Sequence, residues 1–340
     1  MFTALFGSVE QGIIYAIMAL GVYLTFRVLD FPDLTVDGSF VTGAATAAMM
    51  IVLGYNPIIA TLVAIVAGFI AGCITGLLHT KGKINSLLSG ILMMIALHSI
   101  NLRIMGMTKE GSVGVSNVPL LSVDTVFSSF QKFWASLGID AAISDMLRGI
   151  GLSNVPSTYG TLIIVIIIII MIKIIVDWFL KTEVGLAIRA TGDNKRMIRS
   201  FSANTDWLII LGLGLSNGMV ALAGALIAQY NKFADVQMGI GMIVIGLASV
   251  IIGEAIFGTK TIMRTTFAVI IGAIVYRIIY ALALRVDFLD TGDMKMITAF
   301  IVICALVIPQ MLDKQKEKKR KAQRLAGREN VVKQGGSGLA

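Results

Sequence analysis

Two stretches of this chain place an aspartate two residues after a phenylalanine and directly ahead of small and apolar residues. They are Phe31-Pro32-Asp33 in RVLDFPDLTVDGSFVTGAATAAM and Phe233-Ala234-Asp235 in QYNKFADVQMGIGMIVIGLASVI. Each places F-x-D and small residues at the entry to a short helix. Pro32 adds a break, because it lacks an N–H and disfavours helix at the residue before it. Both stretches therefore read as the start of an interrupted, glycine-bearing helix.

Catalytic chemistry finds no foothold. GEAIFGTKT at 253 to 261 nearly spells a phosphate-binding loop, but Thr259 separates Gly258 from Lys260, and no soluble βαβ unit surrounds it. It reads as a turn with Lys260 and Arg264 at headgroup level. The two histidines, His79 and His98, are too far apart for a local metal pair, and Cys73 and Cys304 sit in apolar runs with no companion ligands. No enzyme, metal or cofactor is expected. The net charge of +8 is largely a tail effect, with nine Lys/Arg against three Asp/Glu from Met311 onward, so it does not argue for nucleic acid.

The elements that must carry these residues are membrane spans. Of 340 residues 56% are hydrophobic and 14% charged, where a soluble domain carries about a quarter charged. Hydropathy and breakers predict about nine spans, near 7 to 27, 34 to 54, 57 to 79, 85 to 105, 157 to 180, 207 to 229, 239 to 257, 262 to 283 and 295 to 312. The first, with GIIYAIMALGVYLTF, has no basic leader or small-residue cleavage site and is kept as a span. Basic short loops (Arg27, HTKGK at 79 to 83, Lys195 to Arg199, Lys260 with Arg264, and the tail) fall on one side, which puts the N-terminus outside and the C-terminus in the cytoplasm. The two F-x-D stretches then lie on opposite sides, as an inverted repeat relating spans one to four with six to nine requires.

Within the outer segment 106 to 156, Val123, Val126, Phe127, Phe130, Phe133, Trp134 and Leu137 fall at helical spacing opposite Asp124, Ser128, Gln131, Lys132 and Ser136, an amphipathic helix that lies in the outer interface or caps the bundle. Ionisable groups near span ends are Glu10, Asp177, Glu254 and Arg277. Snorkelling to headgroups is expected of Asp177 and Arg277, and pairing with a basic cytoplasmic group of Glu254. Asn217 and Gln229 either bond across helices or line a path.

Between the wall TLIIVIIIIIMIKIIVDWFL and the next span lies a charged island, KTEVGLAIRATGDNKRMIRSFSANTD, residues 181 to 206. Thr182 caps a first helix with Glu183 at its positive end, Gly192 ends it, and Asp193 caps a second through Ser202. Val184, Ala187 and Ile188 form one apolar strip, and Met197, Ile198 and Phe201 another. Two short capped helices with apolar strips make a docking knob; the alternative is an ordinary basic cytoplasmic loop lying on anionic headgroups.

GIIYAIMALGVYLTFRVLDFPDLTVDGSF, EVGLAIRATGDN and LGLSNGMVALAGALIAQYNKFADVQMGIGMIVIGLASVIIGE together make the chain similar to the permease subunits of ABC importers of the branched-chain amino-acid and monosaccharide group, nearest those of tryptophan or tyrosine-type uptake systems. The likeness runs to about residue 310. It implies an all-α polytopic helix bundle, a permease domain over 1-312 and a basic cytoplasmic tail over 313-340, in the bacterial inner membrane. It also implies partners: cytoplasmic ABC ATPase subunits, an extracytoplasmic substrate-binding protein and a second permease copy. Under that likeness Gly185, Ile188, Arg189, Ala190, Gly192 and Asn194 are the ATPase-coupling residues, and the chain imports a small polar solute, an amino acid. FSANT at 201 to 205 departs from the pattern, where such permeases often have glycine. The translocation path is expected around Phe31, Asp33, Asp37, Asn217, Gln229, Phe233 and Asp235. An ion-coupled secondary transporter with an inverted repeat and a non-transporting scaffold are the alternative readings. The final GGSGLA has the composition of a linker.

Overall fold

The computed structural model describes residues 2–107, 115–138, 158–201 and 203–283, with a few isolated positions besides. Helices appear in the order α1 (Phe2–Tyr23, continued by a π turn Leu24–Val28), α2 (Thr35–Val52), α3 (Pro57–Thr80), α4 (Ser86–Met105), α5 (Val126–Ser136) and α6 (Gly160–Phe179). The short α7 (Glu183–Asp193) and α8 (Lys195–Ser200) follow, then α9 (Thr205–Asn231), α10 (Met242–Phe257) and α11 (Ile262–Ala283). Among the described residues eight helices are long and apolar enough to cross a membrane, matching the first eight expected spans. The span expected at 295 to 312 lies almost entirely outside the described residues, as do Cys304 and the tail.

Local chemistry sets the boundaries. Asn56 accepts from the Ile58 amide at 2.8 Å and Pro57 occupies the first turn, so α3 starts with its orphan donors satisfied. Asn85 caps α4 in the same way through Leu87. The amphipathic helix is α5, closed at its head by a capping box between Thr125 and Ser128. Lys132 grips Asp124 at 2.7 Å on its polar face and holds that exposed carboxyl below its ordinary range.

The core is built around α9, which packs against α1, α2 and α3. With α1 and α2 it is mostly buried inside the bundle, and its packing against three helices makes it the hub, whereas α4 and α6 mostly face outward. Close approach needs small residues, because lipid supplies no hydrophobic drive between helices. A Cβ on Gly43 would fall on the Ala221 carbonyl, and one on Gly224 on the Phe40 carbonyl, so the α2 and α9 backbones touch. A two-stranded antiparallel ribbon, β1 (Asn117–Pro119) with β2 (Phe233–Asp235), ties the segment before α5 to the end of α9.

Two ionisable groups expected to snorkel do otherwise. Asp177 is buried and accepts from Lys173 at 2.5 Å and from the Thr266 hydroxyl at 2.6 Å, so it ties α6 to α11. Its charge is met inside the bundle, which removes the need to reach headgroups. Arg277 holds its guanidinium over the Tyr15 ring at 4.7 Å and the Tyr280 ring at 5.2 Å, where the ring faces stabilise the cation. Glu254 behaves as expected, pairing with Arg27 at 2.5 Å.

Candidate functional site

The first interrupted element follows α1. Its helix loosens into the π turn, Asp30 takes φ 52°, and Phe31 donates its amide to the Thr25 carbonyl at 2.9 Å, so the chain doubles back into the bundle before α2. Phe31 is buried with its ring edge-on to His79, centroids 5.1 Å apart. Asp33 is also buried: one carboxylate oxygen accepts from the Thr35 amide at 2.9 Å, the other from Asn217 Nδ2 at 2.7 Å. Burial raises the Asp33 carboxyl above its ordinary range, and these hydrogen bonds oppose the rise. Beside it the hydroxyls of Thr35 and Thr75 meet at 2.8 Å, joining α2 to α3.

The second element repeats the local geometry. Asp235 accepts from the Gln237 amide at 2.7 Å, the same two-residue reach that Asp33 makes to Thr35, and so caps a 3-10 turn at Val236–Gly239. Asn117 of the ribbon reaches its other oxygen at 3.4 Å. The backbone then turns through Gly241 at φ 85° into α10.

The two elements meet through Asp37, in the first turn of α2. Its carboxylate accepts from the Gly241 amide at 2.9 Å and the Ile243 amide at 2.8 Å, so α2 supplies the N-terminal cap of α10. Asp37 also lines a cavity of about 380 Å³ with Met94, His98 and Asn101 of α4 and Gly239 of the 3-10 turn. Asn101 donates to the Gly38 carbonyl at 3.2 Å while its buried Oδ1 has no partner among the described residues. His98, Ser99 and Asn101 were not singled out for this wall by sequence. Their polar spacing on an otherwise apolar span was the available signal.

The other expected path residues are distributed. Asn217 joins Asp33 in the buried cluster, and Gln229 bridges the Val126 amide and the Thr61 hydroxyl, at 3.0 and 2.8 Å. Phe233 is exposed on β2.

The charged island forms two helices. Thr182 accepts from the Gly185 amide at 3.2 Å and Glu183 lies in the first turn of α7, as its residue types require. Its end differs from expectation: α7 continues through Gly192 to Asp193, and Asn194 makes the break and caps α8 by accepting from the Arg196 and Met197 amides, both at 3.1 Å. Gly192 serves contact instead of a turn, since a Cβ there would fall on the Val28 carbonyl of the π turn. Gly185 likewise lies against Phe179 and Leu180, and Ile188 is fully buried. Arg189 and Ala190 are half-buried, and Asn194 is exposed at the joint. Most of the expected coupling residues therefore attach α7 to the bundle. The outward face carries Leu186, Met197 and Phe201, exposed by 50%, 46% and 74%. After it, Asn204 caps α9 and Arg199 bonds the Thr205 hydroxyl at 3.0 Å, which accounts for FSANT without a glycine.

Among the described residues no cluster of His, Cys, Asp or Glu could hold a metal. A multi-span bundle with interrupted helices meeting inside it and a helical hairpin at one end is the architecture of a transport permease. The chain belongs to the family described as branched-chain amino acid transport system / permease component, whose profile matches residues 4–307. It is 40% identical over 296 residues to the tyrosine transport system permease protein of Clostridioides difficile (strain R20291), covering 87% of this chain and 88% of that one. It is 25% identical over 251 residues to the ribose import permease protein RbsC of Escherichia coli (strain K12), covering 73% and 68%. In fold it is similar to a chain of PsaBC from Streptococcus pneumoniae, solved in complex with Fab, with a TM-score of 0.51 at 14% identity, covering 91% of this chain and 94% of that one.

Proposed function

We propose that this permease is the membrane subunit of an ATP-driven importer that moves an amino acid into the cytoplasm. In this reading α7 and α8 dock a separate ABC ATPase, a second copy completes the path, and an extracytoplasmic binding protein delivers the solute. The likeness to a tyrosine transport permease supports the amino-acid substrate. The observation that carries the ATPase assignment is the hairpin itself. Its inner face is locked against the π turn of the first interrupted helix, while Leu186, Met197 and Phe201 stand exposed at its outer face. A partner that pushes on the hairpin therefore acts directly on the interrupted helix. The N-terminus is outside and the hairpin cytoplasmic in this scheme.

The path is assigned to the wall where Asp37 joins α2 to α10, beside His98 and Asn101. Asp33 and Asn217 brace it, and Gln229 and Asp235 set its outer end. Leu186→Glu with Phe201→Glu places two desolvated charges in the ATPase contact, and co-purification of the ATPase should fall about tenfold or more. Unchanged co-purification would remove the hairpin as the docking element.

A further inference from the structure

The end of the bundle that carries the α7–α8 hairpin contains a second cavity, of about 360 Å³. Four elements build it: the end of α1 with Tyr23 and Arg27, α7 with Arg189, the end of α10 with Glu254, and the turn Thr259–Thr261 leading into α11 with Thr265. Three cations face one carboxylate. Glu254 is already engaged by Arg27, whereas neither Arg189 nor Lys260 has an ion-pair partner among the described residues. The lining also offers hydroxyls from Tyr23 and Thr261, while the Thr265 hydroxyl already donates to the Thr261 carbonyl at 3.0 Å, and it includes the head of the 22-residue helix α11. Fixed positive charge beside hydroxyls and a helix N-terminus is the chemistry that holds an anion.

We propose that this cavity binds a phosphate or phosphoester group and that the bound anion clamps α7 to the bundle. Arg189 belongs to the hairpin and Lys260 to the α10–α11 turn, with Arg27 of the π turn beside them on Glu254, so one anion held by Arg189 and Lys260 links α7 to its frame. The near-miss sequence GEAIFGTKT contributes Lys260 and Thr261 here. The spacing that disqualifies it as a nucleotide loop leaves its lysine on a short turn facing the cavity.

The test uses the purified full chain in phosphatidylcholine nanodiscs, titrated with inorganic phosphate against chloride at equal ionic strength, and in parallel nanodiscs containing phosphatidylglycerol. Ligand that binds only the folded chain raises Tm with its concentration. Amide exchange across Glu183–Asp193 should slow alongside. A rise with phosphate identifies a soluble anion; a rise only with phosphatidylglycerol identifies a lipid headgroup. Arg189→Gln with Lys260→Gln should weaken the response about tenfold or more, the loss of charge-assisted hydrogen bonds. Lys260→Gln alone, on an exposed turn, gives a smaller loss if the double variant fails to fold. Lys81→Gln with Lys83→Gln removes equal charge elsewhere and should respond as the parent does. No rise with either anion, no slowing across α7, equal responses in the Arg189/Lys260 variants, or equal loss in the Lys81/Lys83 variant overturns the proposal.

Discussion

Asp37 satisfies two amides of a helix more than 200 positions away. Asp37→Ala leaves the Gly241 and Ile243 donors without their acceptor and should cost about 1–3 kcal/mol, read as a lowered Tm in nanodiscs. Asp37→Asn restores one acceptor and should recover part of the loss; a variant as stable as the parent would show that the cap contributes nothing. Asp177→Ala should cost more, about 3–5 kcal/mol, because it strands the partly buried Lys173 and releases Thr266. A drop in Tm no larger than that of an exposed control such as Asp193→Ala would contradict this. These pairs also mark how far single residues can be read in a sequence. The partnership of Glu254 was legible because the span ends on one side share a face full of basic groups. That of Asp177 was not, since position near a span end says nothing about a threonine 89 residues on. The breaks around Asp33 and Asp235 were legible in kind, but the amides these aspartates hold and the meeting of the two elements through Asp37 are properties of packing.

At the scale of the element, the proposed coupling requires α7 to sit tight on the π turn. Gly192→Val drives a side chain into the Val28 carbonyl and should cost about 1–3 kcal/mol locally. The chain should still insert and fold, with faster amide exchange across Glu183–Asp193 and with ATP hydrolysis no longer matched by uptake. Normal coupling in this variant would mean that the contact is incidental. The head of α7 was readable from Thr182 and Glu183, whose chemistry is local. Its end was not, because a glycine that permits close approach and a glycine that ends a helix are the same letter; Asn194, which ends α7 and caps α8, was the residue to weigh.

For the whole molecule, length and hydropathy placed eight spans within a few residues, since crossing a membrane constrains each segment by itself. Hub and rim could not be read that way: α6 is the most hydrophobic helix and is mostly exposed, while the glycine-rich α9 is the centre. In lipid, hydrophobicity reports contact with hydrocarbon and small residues report contact with protein. The interrupted helices, their junction at Asp37 and the hairpin seated on the π turn are in continuous contact, and in the proposed function a separate ATPase acts on that unit. The direct measurement is uptake of radiolabelled amino acids by proteoliposomes containing this permease, with and without its ATPase partner, ATP and binding protein. The expected result is uptake only when all are present, abolished by Leu186→Glu with Phe201→Glu; gradient-driven uptake by the permease alone would contradict it.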